Sequence, residues 1–136
     1  MTFRAVGTAS IRYKRLREAV SILASPAEVQ IDWLDQLFSS LTKGETAEAY
    51  GNDELALTFE DAFSPAQFMI ENGEMSRQEF EKLRSLDVLL ELYSGETQKE
   101  FWRREALQED PRWEIIRLRA QEVLEGMPED ARTYRP

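Results

Sequence analysis

Neither cysteine nor histidine occurs among these 136 residues. Without thiols there can be no disulfide frame, no thiolate nucleophile and no zinc–thiolate site. Without imidazole the commonest general base and the commonest metal ligand are missing, and with them every Ser–His or Cys–His catalytic pair. Glycine (six) and proline (five) are sparse, and no Gly-rich phosphate-cradling loop occurs. No apolar run reaches the ~18 residues of a membrane-spanning helix, so no membrane partner is expected. The Arg-bearing N-terminus has some amphipathic character, as an organelle-targeting peptide would, but lacks the apolar stretch of a secretory signal. We read it as a structured first helix. The missing thiols suit a reducing compartment, and the expected localisation is cytoplasmic.

What is present is charge, and it is unevenly placed. Residues 25–81 carry thirteen acidic side chains and two basic ones, Lys43 and Arg77. The first twenty-four residues reverse this, with Arg4, Arg12, Lys14, Arg15 and Arg17 against Glu18 alone. Such segregation sets up a directional field that steers association with an oppositely charged partner. The net charge of −9 opposes binding to phosphate backbones, so no nucleic-acid partner is expected.

Hydrophobic residues make up 42% of the chain and recur at helical spacing. Ile11, Leu16, Val20 and Leu23 share one face of a first helix. Val29, Trp33, Leu34, Leu37, Phe38 and Leu41 form the stripe of a second. Leu55, Phe59, Ala62 and Phe63 follow an Asn52-Asp53 start, and a short helical turn from Pro65 to Ile70 stops at Asn72-Gly73. The segment from Arg77 to Tyr93 is the most apolar and is expected to be the central helix. A shorter segment holds Phe101, Trp102 and Leu107, and a last helix runs from Trp113 to Leu124, before Gly126. Helix starts are explicit: Ser25-Pro26-Ala27-Glu28, Ser64-Pro65-Ala66-Gln67 and Ser76-Arg77-Gln78-Glu79 read as capping boxes, and Asp110-Pro111 as an acidic cap.

The expected fold is all-α: one domain over residues 1–126 built as a bundle of about five to seven helices, with room for a short strand near residues 2–6. Residues 127–136 read as a frayed tail. A chain of this length buries a core without metals or cross-links.

No catalytic residue, cofactor site or metal site is assigned. Paired carboxylates suffice for glycoside chemistry, but acidic pairs are too common here to single one out. No loop shows calcium-hand spacing. A helix-turn-helix reading would need a basic recognition helix, whereas Arg112, Arg117 and Arg119 alternate with Glu114, Glu122 and Glu125. The bases Arg12, Lys14, Arg15 and Arg17 are expected to pair with acids of the same molecule or to stay solvated. Trp33, Trp102 and Trp113 sit at core spacing. Once the capping acids Glu28 and Glu79 are set aside, the unexplained acids are Asp32, Asp35, Glu45, Glu48, Glu60 and Asp61. Glu60 and Asp61 oppose the dipole at a helix C-terminus. These six, with Tyr50 as an aromatic anchor, form the expected face for a basic protein partner.

One stretch carries a resemblance. Glu100-Phe-Trp-Arg-Arg-Glu-Ala-Leu-Gln-Glu-Asp-Pro-Arg-Trp-Glu-Ile-Ile-Arg resembles small helical bacterial immunity proteins, the cognate inhibitors of secreted toxins, through Trp102, Leu107, Asp110, Pro111, Trp113 and Arg117. It implies a protein that binds a toxin domain and blocks it without catalysis, and it transfers no contact residues. The alternative is a structural or regulatory helical interaction protein, homodimeric or not, whose acidic face is only solvated.

Overall fold

Hydroxyl and carboxylate caps set where several of the helices begin and end. In the computed structural model, which describes residues 10–42, 51–93 and 100–127, the helices are α1 (Ile11–Ala24), α2 (Ala27–Thr42), α3 (Asp53–Phe63), α4 (Ala66–Glu71), α5 (Arg77–Leu92), α6 (Ala106–Glu109) and α7 (Pro111–Glu125). No strand occurs among the described residues. The suggested strand near residues 2–6 lies outside them, as do residues 128–136. The protein is an all-α bundle. Among the described residues no helix is long and apolar enough to cross a membrane.

Ser76 forms the expected capping box with Glu79: its hydroxyl accepts from Glu79 N at 3.0 Å, while Glu79 Oε1 accepts from Ser76 N at 2.8 Å. Asp110 caps α7 by accepting from Arg112 N at 2.9 Å, with Pro111 in the first turn. The two Ser-Pro starts behave differently from expectation. Ser64 is the C-cap of α3, and its hydroxyl donates to Asp61 O at 3.1 Å; α4 begins after Pro65 with no side-chain cap. Ser25 likewise closes α1, donating from its hydroxyl to Ser21 O at 2.8 Å. Two helices abut at each Ser-Pro step, so the serine hydroxyl meets a leftover carbonyl of the helix behind it.

Four helices form a ring. α1 packs on α3 and α7, and α5 packs on the same two from the other side. α2 and α6 flank the ring at α1 and α7, and α4 lies against α5. The central helix is therefore α1 rather than the expected α5. Tyr13, Leu16, Ala19, Val20, Leu23 and Ala24 of α1 are buried, whereas only Leu83, Leu86 and Leu90 of α5 are. The apolar residues of α5 spread around its circumference, and Val88 and Leu92 stay exposed. Ile11 and Val29, expected on buried stripes, are also exposed, as is Leu118 within the last helix. Each fully buried Leu of the core stabilises by roughly 1.5–3 kcal/mol.

A second packing focus holds the chain between α5 and α7. Phe101 stacks on Trp113 with ring centroids 4.5 Å apart, and Trp102 meets both rings edge-on. Trp113 Nε1 donates to Phe101 O at 2.8 Å, so its polar edge is satisfied in the core. Asn52, fully buried, does not cap α3. Its N–H donates to Trp102 O (3.0 Å) and its Nδ2 to Arg103 O (2.6 Å), which ties the start of α3 to this segment. Met127 is also buried, and its carbonyl accepts from Arg17 Nε at 2.9 Å, so the core takes in one residue that the sequence placed in the tail.

Candidate functional site

Of the seven residues expected at a partner face, Glu45, Glu48 and Tyr50 lie outside the described residues. The other four fall on two helices, α2 and α3, that both pack on α1. α2 rests on α1 and α6, while α3 rests on α1 and α5. Asp32 is exposed on α2 and accepts from Gln36 Nε2 at 3.0 Å. Asp35, one turn on, is half-buried and pairs with Arg104 Nη2 at 2.9 Å. Glu60 and Asp61 are exposed at the end of α3.

The short helix α6, on which α2 packs, carries a second group of acids. An open groove is lined by Glu100, Arg103, Glu105, Ala106, Glu109, Asp110 and Pro111. Its shape follows from the chain path. The turn at 100–105 is pinned by the stacked aromatics, α6 is a single turn of helix, and Asp110-Pro111 redirects the backbone into α7. Arg103 lies between Glu100 (3.3 Å) and Glu105 (3.7 Å), with all three side chains mostly exposed. Such pairs stabilise by only ~0–1 kcal/mol, so the fold gains little from keeping them closed. Glu109 is exposed as well.

Asp110 is different. It is mostly covered, and Arg112 holds it through Nε (3.0 Å) and Nη2 (2.6 Å). Hydrogen bonding to Arg112 pulls the Asp110 carboxyl below its ordinary value against a smaller opposing effect of burial, and raises the guanidinium in return. The same guanidinium lies 4.9 Å over the Phe101 ring and 5.7 Å over Tyr93. Asp110 and Arg112 are thus committed to the fold, while Glu100, Glu105 and Glu109 face solvent.

The basic side chains of α1 divide in the same way. Arg12 binds Glu74 through Nε (3.2 Å) and Nη2 and lies 4.6 Å over Phe68. Hydrogen bonding to Glu74 raises its pKa. Arg17 binds Met127 O, whereas Lys14 and Arg15 are exposed. Tyr13 OH donates to Glu79 Oε2 at 2.7 Å, so that carboxylate serves both the α5 cap and the α1–α5 contact.

No protein family matches this chain, and no curated protein or solved structure does either.

The sequence reading passed over Glu100, Glu105 and Glu109 because Arg103 and Arg104 sit among them and neutralise the local count. The usable signal was the spacing Glu105-Ala-Leu-Gln-Glu109, which puts two acids on one side of a helical turn whose Ala106 and Leu107 are buried. Among the described residues no three acidic side chains converge as a metal site would require. The groove can offer exposed carboxylates around the small apolar surfaces of Ala106 and Pro111, an arrangement suited to a Lys or Arg side chain with its aliphatic stem.

Proposed function

We propose that this is a non-catalytic, cytoplasmic binding protein that docks a basic protein partner, most concretely a bacterial immunity protein that neutralises a cognate toxin. The observation that carries this reading is the open groove whose rim holds Glu100, Glu105 and Glu109 exposed, with Asp32 exposed on α2, the helix packed on α6. Exposed carboxylates at a rim accelerate encounter with a basic surface and make it salt-dependent, and a groove with small apolar patches gives a docked side chain something to pack against. Glu60 and Asp61, on α3, would act at long range or on a second part of the partner.

The test is association with the protein encoded by the gene directly upstream, followed by surface plasmon resonance at several ionic strengths. The expected outcome is a complex whose association rate falls steeply with salt. In Glu105→Lys/Glu109→Lys that rate should drop by about tenfold at low salt, with a flatter salt dependence. An upstream protein that does not bind, or one that binds equally well to the double variant, would overturn the reading.

A second reading, a structural or regulatory interaction protein without a toxin partner, is favoured by a separate observation. Val88 and Leu92 on α5, and Ile115 and Leu118 on α7, are exposed on the sides of those helices turned away from the core.

A further inference from the structure

Helix α7 presents its core-facing residues Trp113, Ile116, Arg117, Ala120 and Val123 to the bundle. Its opposite side carries Pro111, Ile115, Leu118 and Glu122 at spacings of four, three and four, the a/d pattern of a two-stranded helix seam. Ile115 is 45% exposed and Leu118 52% exposed. With Ile115 at an a position, Leu118 at the next d, Glu114 at g and Arg119 at e, α7 has a β-branched residue at a and a leucine at d. That is the combination that favours two parallel strands over higher assemblies.

The flanks point to the occupant. A two-fold axis parallel to α7 would bring the g side of one helix against the e side of its copy, and a g residue there meets the e residue five positions on. Glu114 would thus meet Arg119 of the second molecule, twice across the axis. Within the helix Arg119 makes an exposed pair with Glu122 (3.5 Å), and Glu114 Oε1 accepts from Nη1 of the buried Arg117 (3.2 Å). Glu114 is 62% exposed and Arg119 39%, so a change of rotamer suffices to turn Arg119 across the seam, where Glu114 meets it with its second carboxylate oxygen while Oε1 stays on Arg117. Glu122 at the following a position would place two carboxylates face to face, which ends the seam after one heptad.

We propose that the outer face of α7 is a self-association surface, with a second copy of this chain packed parallel along Ile115 and Leu118 and fixed in register by Glu114–Arg119 pairs between molecules. One heptad covers well under the ~800 Å² per partner of a standard stable interface, so the dimer is weak and concentration-dependent. The surface adjoins the groove at Pro111, but the proposal rests on Ile115 and Leu118 and does not depend on what binds in the groove.

Sedimentation velocity over a concentration series reaching the millimolar range tests it. The wild-type weight-average sedimentation coefficient should rise toward the dimer value. Leu118→Lys, at an exposed position that leaves the core intact, should stay monomeric with an unchanged circular dichroism spectrum. Arg119→Glu, which sets two carboxylates against each other across the seam, should weaken dimerisation by about tenfold, and Arg119→Lys should leave it close to wild type. A wild-type protein that stays monomeric throughout, or a dimer indifferent to Leu118→Lys or to Arg119→Glu, would overturn the proposal.

Discussion

Helix α6 borders two polar regions that treat charge in opposite ways. On its inner side, Arg117 of α7 is only 7% exposed and every direction of its guanidinium is used. Nε donates to Gln30 Oε1 at 3.0 Å, Nη1 reaches Glu114 at 3.2 Å, and Nη2 binds Leu107 O at the end of α6. Gln30, fully buried, passes the network on by donating to Ile22 O and Leu23 O at 3.1 Å each, carbonyls in the last turn of α1, of which Ile22 O also accepts from Ser25 N. On the outer side, Glu105 and Glu109 are exposed and contribute little to the fold. A buried charge must be partnered completely or the fold suffers, whereas a rim charge escapes that constraint and is free to serve encounter.

The sharpest way to break this contrast is to remove the inner cation. Arg117→Ala leaves Gln30 Oε1 and Leu107 O without a donor and opens a void where α2, α6 and α7 meet. It should lower unfolding free energy by about 3–5 kcal/mol in urea titrations. Glu109→Lys, on the outer side of α6, should stay within ~0.5 kcal/mol of wild type. Comparable losses in both variants would mean that the rim is structural too.

Next in size is the join between α3 and the aromatic segment. A Cβ at Gly51 would lie 2.5 Å from Trp102 O, the carbonyl that also accepts from Asn52 N. Gly51→Ala should force the two backbones apart and cost about 1–3 kcal/mol. At Gly126, with φ −92°, a Cβ would find its nearest neighbour at 3.5 Å on the flexible end of Lys82. Gly126→Ala should be neutral or stabilise by up to about 1 kcal/mol, because the unfolded chain loses freedom. Opposite signs in thermal unfolding are the expected outcome.

A smaller effect separates serines that look alike in the sequence. Ser76→Ala removes a hydroxyl that accepts from Glu79 N and should cost about 1 kcal/mol. Ser64→Ala removes only an exposed bond to Asp61 O and should cost less than ~0.5 kcal/mol. Equal losses would restore the capping-box reading of Ser64-Pro65-Ala66-Gln67.

These cases show which features the sequence made legible. Helix positions followed from the spacing of residues such as Leu55, Phe59 and Ala62 and from the caps at Ser76 and Asp110, because both signals are local. Central placement of α1 did not follow. Its burial depends on Ala19 and Ala24 lying against other helices, and small residues add little to an apolar count. Gln30, Asn52 and Arg117 were invisible as buried groups, since their partners are carbonyls from distant turns. Of the expected partner face, Asp32 is exposed on α2, Asp35 is paired with Arg104, and Glu60 and Asp61 sit on α3. A count of acids along the chain records neither pairing nor direction.

Acid provides the finest test of the same contrast, between an acid that the fold uses and one that it tolerates. Asp110 is held below its ordinary pKa mainly by Arg112, so its folded-state bonds contribute stability at neutral pH that is lost as pH falls through that lowered value. Asp87 on α5 is shifted the other way, first by burial and then by Glu91, with Arg84 opposing. A raised folded value means that ionised Asp87 weakens the fold. The penalty is complete above its folded pKa and vanishes below its unfolded one. Asp110→Asn should therefore be less stable than wild type at neutral pH, with the gap closing only in strong acid. Asp87→Asn should be slightly more stable than wild type at neutral pH and indistinguishable from it at low pH. Urea titrations of both variants from pH 7 to strong acid would decide the matter. Two gaps of the same sign at neutral pH would show that the environments of Asp110 and Asp87 do not differ in the way their surroundings imply.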